Sequence, residues 1–145
     1  MAALVALLES LDEPTVFPVH PRTRNRLAAA GLWERVEALP ALRTVPPVGY
    51  LDFAALLAGS RAVLTDSGGV QKEAFFQGVP CITLREETEW VETVAGGFNR
   101  LAGMDPARVA AALADLAIPA ERPPYYGDGD ASGKIADALL EALDY

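Results

Sequence analysis

The segment from Ala62 to Ala74 constrains this chain more than any other. Ala62-Val63-Leu64-Thr65 is an apolar run, Asp66-Ser67-Gly68-Gly69 interrupts it, and Val70-Gln71-Lys72-Glu73-Ala74 resumes with helical character. The pattern predicts a strand, a tight turn and a helix N-terminus. Gly68 and Gly69 carry no side chain to hold a ligand away from the backbone, so the first free N–H groups of the helix can point at an anion. Ser67 adds a hydroxyl donor. Glu73 lies about one turn along the helix, within reach of a ribose or sugar hydroxyl beside a bound diphosphate. The same residues read equally as a helix N-cap on a Gly-containing turn, with no ligand.

Around this segment the chain alternates. Leu4, Leu7, Leu8 and Leu11 repeat at helical spacing up to Pro14. Thr15 to His20 reads as a strand, Pro21 to Ala30 as a helix ended by Gly31, Leu42 to Val45 as a short strand, and Leu51 to Ala58 as a short helix ended by Gly59. Arg61–Thr65, Val79–Leu84 and Asn99–Ala102 are strand-like, with helices expected at Gly69–Gln77, Thr88–Ala95 and Pro106–Leu116. Asp105-Pro106 is an N-cap followed by proline at the first helical position. Pro123 to Asp130 is a polar, Gly-rich loop, and Ile135 to Leu143 an amphipathic last helix. Strands and helices taking turns in this way predict one α/β domain with a parallel sheet. Such domains usually begin on a strand near the middle of the sheet, and this one begins on a helix.

Composition removes several function classes. The net charge is −8, with 12 Lys and Arg against 20 Asp and Glu, which argues against nucleic acid or an anionic membrane surface as a partner. An anion must therefore be held locally. No run of about 20 apolar residues exists, and the first residues lack a basic region, so a soluble cytoplasmic protein is expected. The single Cys81 lies in the apolar run Val79 to Leu84 and reads as a buried, inert thiol. With one histidine and no cysteine pair, no metal site is expected.

Three further positions are candidates. His20 ends a predicted strand, where ligands of open parallel sheets collect, and Arg22 follows two residues on; the pair can orient a phosphate or sugar, and a purely structural histidine is the competing reading. In Leu84-Arg85-Glu86-Glu87-Thr88-Glu89-Trp90-Val91-Glu92, Arg85 is the cation among carboxylates, and Thr88 with Glu92 nearby opens a helix whose first turn carries Glu89. Spacing alone does not support paired carboxylates for acid-base chemistry. Phe53, on a loop before the strand that enters the Ser-Gly-Gly turn, is either core or an aromatic contact to a base.

From His20 onward, five ordered motifs carry a resemblance: Val16-Phe17-Pro18-Val19-His20-Pro21-Arg22-Thr23, Tyr50-Leu51-Asp52-Phe53, Thr65 to Ala74, Pro80 to Glu89, and Tyr126-Gly127-Asp128-Gly129. Together they resemble the non-hydrolysing UDP-N-acetylglucosamine 2-epimerases. The resemblance implies the C-terminal, Rossmann-like half of a glycosyltransferase-B-like fold, a parallel sheet with flanking helices, and a UDP-sugar in the cleft between two halves. It implies that Ser67, Gly68 and Gly69 bind the diphosphate, Glu73 the ribose hydroxyls, and the loop of Phe53 the uracil. His20 is placed near a second UDP-sugar, with Arg22, Arg85 and Thr88 as effector or supporting residues. No cofactor is implied. The Gly-Asp-Gly loop would lead into a helix that packs on the other half.

Two departures bear on function. The N-terminal half that supplies the acidic proton-transfer groups is not matched, so no catalytic residue is assigned in this chain. The first strand of the C-terminal half is not matched either, which leaves a central gap in the sheet. Met1 is then expected to be an internal methionine of a longer gene, the first residue of a truncated piece, or a misplaced start codon. A gap of this kind predicts dimerisation, strand borrowing or poor stability. The expected function is the UDP-binding half of an enzyme that eliminates UDP and re-adds it with C2 inverted, inactive alone, with the missing N-terminal domain and a second copy as partners. Alternatives are a sister epimerase on another UDP-2-acetamido sugar, a noncatalytic sugar-nucleotide-binding module and, ranked below these, a glycosyltransferase half.

Overall fold

The structure, a computed structural model, describes residues 1–143. Its elements run α1 (Ala2–Glu9), β1 (Thr15–Pro18), α2 (Pro21–Ala29), α3 (Trp33–Glu37), β2 (Leu42–Val45), α4 (Tyr50–Ala58), β3 (Val63–Thr65), α5 (Gly68–Gln77), β4 (Cys81–Thr83), α6 (Val91–Ala95), β5 (Asn99–Leu101), α7 (Pro106–Ala114) and α8 (Ala131–Leu143). This is the expected α/β alternation, with every strand pair parallel.

The strands fall into two sheets. β1 pairs only with β2, with Thr15 opposite Leu42, and the second sheet has the order β3-β4-β5, with Val63 opposite Cys81 and Cys81 opposite Asn99. β1 and β3 share no ladder, so the break falls beside the strand that ends at His20, where the sequence left a gap. Among the described residues no backbone hydrogen bond joins residues 1–45 to residues 63–143.

Side chains of α1 join the two. Leu7 enters a cluster with Ile82, Ala102, Val109 and Ala112 from the second sheet and α7. Val5 and Leu8 enter another with Leu27 of α2 and Val36 of α3. Leu11 packs against both. A third cluster of Leu57, Ala74, Val79 and Cys81 fixes α4 and α5 against β4, with Phe53 and Val63 against it. Burial of this apolar surface is the main term holding such a fold together.

Helix ends follow the sequence closely in most places. The Asp105 carboxylate accepts from the N–H groups of Ala107 and Arg108, and Pro106 opens α7. Gly78 closes α5 at φ 70°, the left-handed conformation that favours glycine. α6 departs from expectation: it begins at Val91, three residues later than Thr88. α3 was not anticipated at all.

Candidate active site

β3 ends at Thr65, and its hydroxyl accepts from the Ser67 N–H at 3.0 Å, which shapes the turn. Ser67 is the N-cap of α5, with extended backbone and a hydroxyl that accepts from the Val70 N–H at 3.5 Å. A serine hydroxyl that accepts in this way still has its own O–H to donate. The N–H groups of Gly68 and Gly69, in the first turn, have no carbonyl four residues back within the helix to bond. They form an open, partly positive helix end at the C-terminal edge of a parallel strand. The N-cap reading of the segment holds, and the cap leaves the Gly68 and Gly69 N–H groups without intrahelical partners.

Gly68 is needed for close approach. A Cβ there would collide with the Glu89 carboxylate and would lie 3.1 Å from Nε1 of Trp90. Glu89 belongs to the loop after β4, where Arg85 Nη1 donates to its Oε2 at 3.2 Å. Arg85 and Glu89 thus stand at the mouth of the turn.

A buried polar network holds that loop in place. Gln71, in the first turn of α5 and 1% exposed, accepts through Oε1 from Thr88 Oγ1 at 2.6 Å and from Asn99 Nδ2 at 3.1 Å. Asn99 in turn accepts from Thr83 Oγ1 at 2.8 Å. Thr88 Oγ1 also accepts from the Trp90 N–H at 3.2 Å. This corrects the expectation for Thr88: its hydroxyl is spent on Gln71 and on a local turn, so it does not cap α6. Gln71, Asn99 and Thr83 were missed from the sequence; the polar residues in an otherwise apolar strand pattern were the available signal.

The remaining candidates divide. Glu73 is partly buried on α5. Phe53 lies in the first turn of α4 and not on a loop, half-buried against the cluster that contains Ala74 of α5, so it approaches the helix that carries Glu73. His20 is exposed and caps α2, its Nδ1 accepting from the Arg22 N–H at 3.2 Å. That satisfies the structural reading of His20. His20 and Arg22 sit beyond β1, on the other sheet from the Ser-Gly-Gly turn.

The Gly-Asp-Gly motif reaches the site through aromatic packing, which the sequence did not reveal. Tyr126 packs edge-on against Trp90, Phe75 and Phe76, with centroids 5.5 to 5.7 Å apart. The Lys72 ammonium lies 4.5 Å from the Trp90 ring centroid and 4.4 Å from that of Tyr126, a cation held by two π-faces. Burial and the nearby Glu92 carboxylate raise the Tyr126 pKa. Asp128 is salt-bridged to Lys134 at 2.8 Å, and this hydrogen bond lowers its pKa. Cys81 is buried as expected, and burial pushes its thiol up to about 11.

No described helix is long and apolar enough to cross a membrane. A family model described as UDP-N-acetylglucosamine 2-epimerase matches residues 1–140. A UDP-N-acetylglucosamine 2-epimerase homolog of Methanococcus maripaludis is 44% identical over 135 residues, covering 92% of this chain and 38% of its own length. A UDP-2,3-diacetamido-2,3-dideoxy-D-glucuronate 2-epimerase of Pseudomonas aeruginosa is 41% identical, covering 95% of this chain and 40% of its own. The Methanocaldococcus jannaschii UDP-GlcNAc 2-epimerase, solved in complex with UDP-GlcNAc and UDP, superimposes with a TM-score of 0.84 at 35% identity over 97% of this chain and 39% of that one. The chain thus spans about two fifths of the length of the relatives it matches. The fold, the ordered motifs and these matches agree: the chain belongs to the UDP-N-acetylglucosamine 2-epimerase family.

Proposed function

We propose that residues 1–145 form a single, truncated C-terminal domain that binds the UDP portion of a UDP-sugar for conversion of UDP-GlcNAc to UDP-ManNAc. The observation that carries this is the open N-terminus of α5, with Ser67 at its cap and the amides of Gly68 and Gly69 beyond the end of β3. The leaving UDP gathers negative charge at its diphosphate as the bond to C1 breaks, and donors fixed before the reaction stabilise that charge. Glu73 takes the ribose hydroxyls and Phe53 the uracil. Arg85 supports the diphosphate, Thr88 holds its loop in place through Gln71, and His20 with Arg22 serves a second, effector nucleotide sugar. The acidic groups that move the C2 proton come from a separate N-terminal domain, so this chain alone binds and does not turn over. It works in the cytoplasm, as a homodimer.

A second reading is a sister enzyme acting on a UDP-diacetamido sugar acid, favoured by the 41% identity to the P. aeruginosa enzyme of that name.

Calorimetric titration with UDP tests the first reading. Wild type should bind, and Ser67→Ala and Glu73→Ala should each weaken binding roughly tenfold, the usual cost of one hydrogen bond to a charged group. Binding unchanged in both variants would remove the Ser-Gly-Gly turn from the site, and formation of UDP-ManNAc by the chain alone would end the claim of inactivity.

A further inference from the structure

A carboxylate of the same chain lies beside the first residue of α5, without accepting from its amides. One oxygen of Glu89 lies against Gly68, in the space that any Cβ would fill, and the other accepts from Arg85. The carboxylate therefore meets the positive end of a ten-residue helix and a guanidinium together. One donor beside it has no partner, Nε1 of Trp90, 3.1 Å from the Gly68 Cβ position, and Nε2 of Gln71 in the first turn of α5 is unpartnered too, both buried atoms. Buried donors left unpaired are costly, and an incoming oxygen-rich anion supplies acceptors for them. The Glu89 side chain is about half exposed, and Arg85 is its one hydrogen-bond partner among the described residues, so it can leave the seat without disturbing the core.

We infer that Glu89 is a resident competitor of the phosphate, crowding the approach to Gly68 and engaging Arg85 until a diphosphate displaces it. Displacement is an exchange of partners. The carboxylate swings into solvent, Arg85 turns from Glu89 to a phosphate oxygen, and the indole N–H of Trp90 gains an acceptor. Glu89 sets the affinity of the site, because every ligand must outcompete it. The penalty is the same for every ligand that displaces it, so Glu89 leaves the selectivity of the site unchanged. The inference rests on the proposed UDP site and adds a regulator to it.

The test is titration of the 145-residue chain with UDP, comparing wild type with Glu89→Gln, Glu89→Ala and, as a charge control in the same loop, Glu87→Gln. Both Glu89 variants should bind UDP about five- to tenfold more tightly, in line with the strength of a carboxylate at a helix N-terminus. Glu87→Gln should stay within about twofold of wild type. The gain should shrink as ionic strength rises, since partly exposed charges are screened. Glu89 variants that bind UDP no better than wild type would overturn the inference while leaving the UDP site standing. Absence of UDP binding by every variant would remove the site itself, and the inference with it.

Discussion

Leu7 and Leu8 are adjacent on α1, yet Leu7 packs with Ile82 of β4 and Val109 of α7 while Leu8 packs with Leu27 of α2 and Val36 of α3. Consecutive helical positions diverge by about 100°, which lets one short helix serve two cores. Leu7→Ala should therefore cost about 2–5 kcal/mol, the range for emptying a well-packed leucine site. Leu8→Ala should cost a similar amount through a different cluster. Urea unfolding checks this; a cost under about 1 kcal/mol for Leu7→Ala would mean that α1 does not seal the second sheet.

Asn99 holds the buried network together, bonding Thr83 and Gln71 at once. Asn99→Ala leaves the Thr83 hydroxyl and one side of Gln71 without partners, at an expected cost of about 2–4 kcal/mol. A cycle with Thr83→Val should show coupling of at least about 0.5 kcal/mol. Strict additivity of the two changes would contradict a shared hydrogen bond.

The Cys81 thiol offers a pH test with a definite sign. Its folded pKa is raised by burial from the ordinary 9.0 to about 11. The folded state then keeps its proton where the unfolded state has lost it. The stability this contributes is complete below about pH 9 and is lost between there and about pH 11, at about 1.4 kcal/mol per pH unit. The stability gap between wild type and Cys81→Ala should drift in that window by about 2–3 kcal/mol. A gap constant from pH 8 to pH 11 would show that the thiol is not buried.

Asp105 is a cap with two N–H partners, one at 2.8 Å. Asp105→Ala should destabilise the protein by about 0.5–2 kcal/mol, and Asp105→Asn by much less. Equal losses from both would point to the charge and away from the cap.

Local signals were enough for the strand, turn and helix around Ser67 and for the Asp105 cap, because each depends on residues close in sequence, while the parallel pairing followed from strands and helices taking turns. The start of α6 was misplaced because the Thr88 hydroxyl is claimed by Gln71, seventeen residues earlier, and no local rule weighs that competition. Phe53 was placed on a loop although the helix expected over Leu51 to Ala58 already contained it; α4 begins one residue earlier, at Tyr50. The contact of Lys72 with Trp90 and Tyr126 brings together three segments of chain and follows from packing alone. Glu89 was legible as a dipole-friendly residue of the wrong helix: it lies against the N-terminus of α5, not α6.

The seam between the two sheets is crossed by no backbone hydrogen bond among the described residues, and its clusters meet through α1. Apolar contact is strong in sum and indifferent to direction, so it holds the two parts together without fixing their register. Among the described residues, directional ties across this seam come instead from a side chain, since Arg61 reaches both Glu13 before β1 and the Leu113 carbonyl of α7. Losing that one guanidinium leaves shape alone to set how the two parts meet.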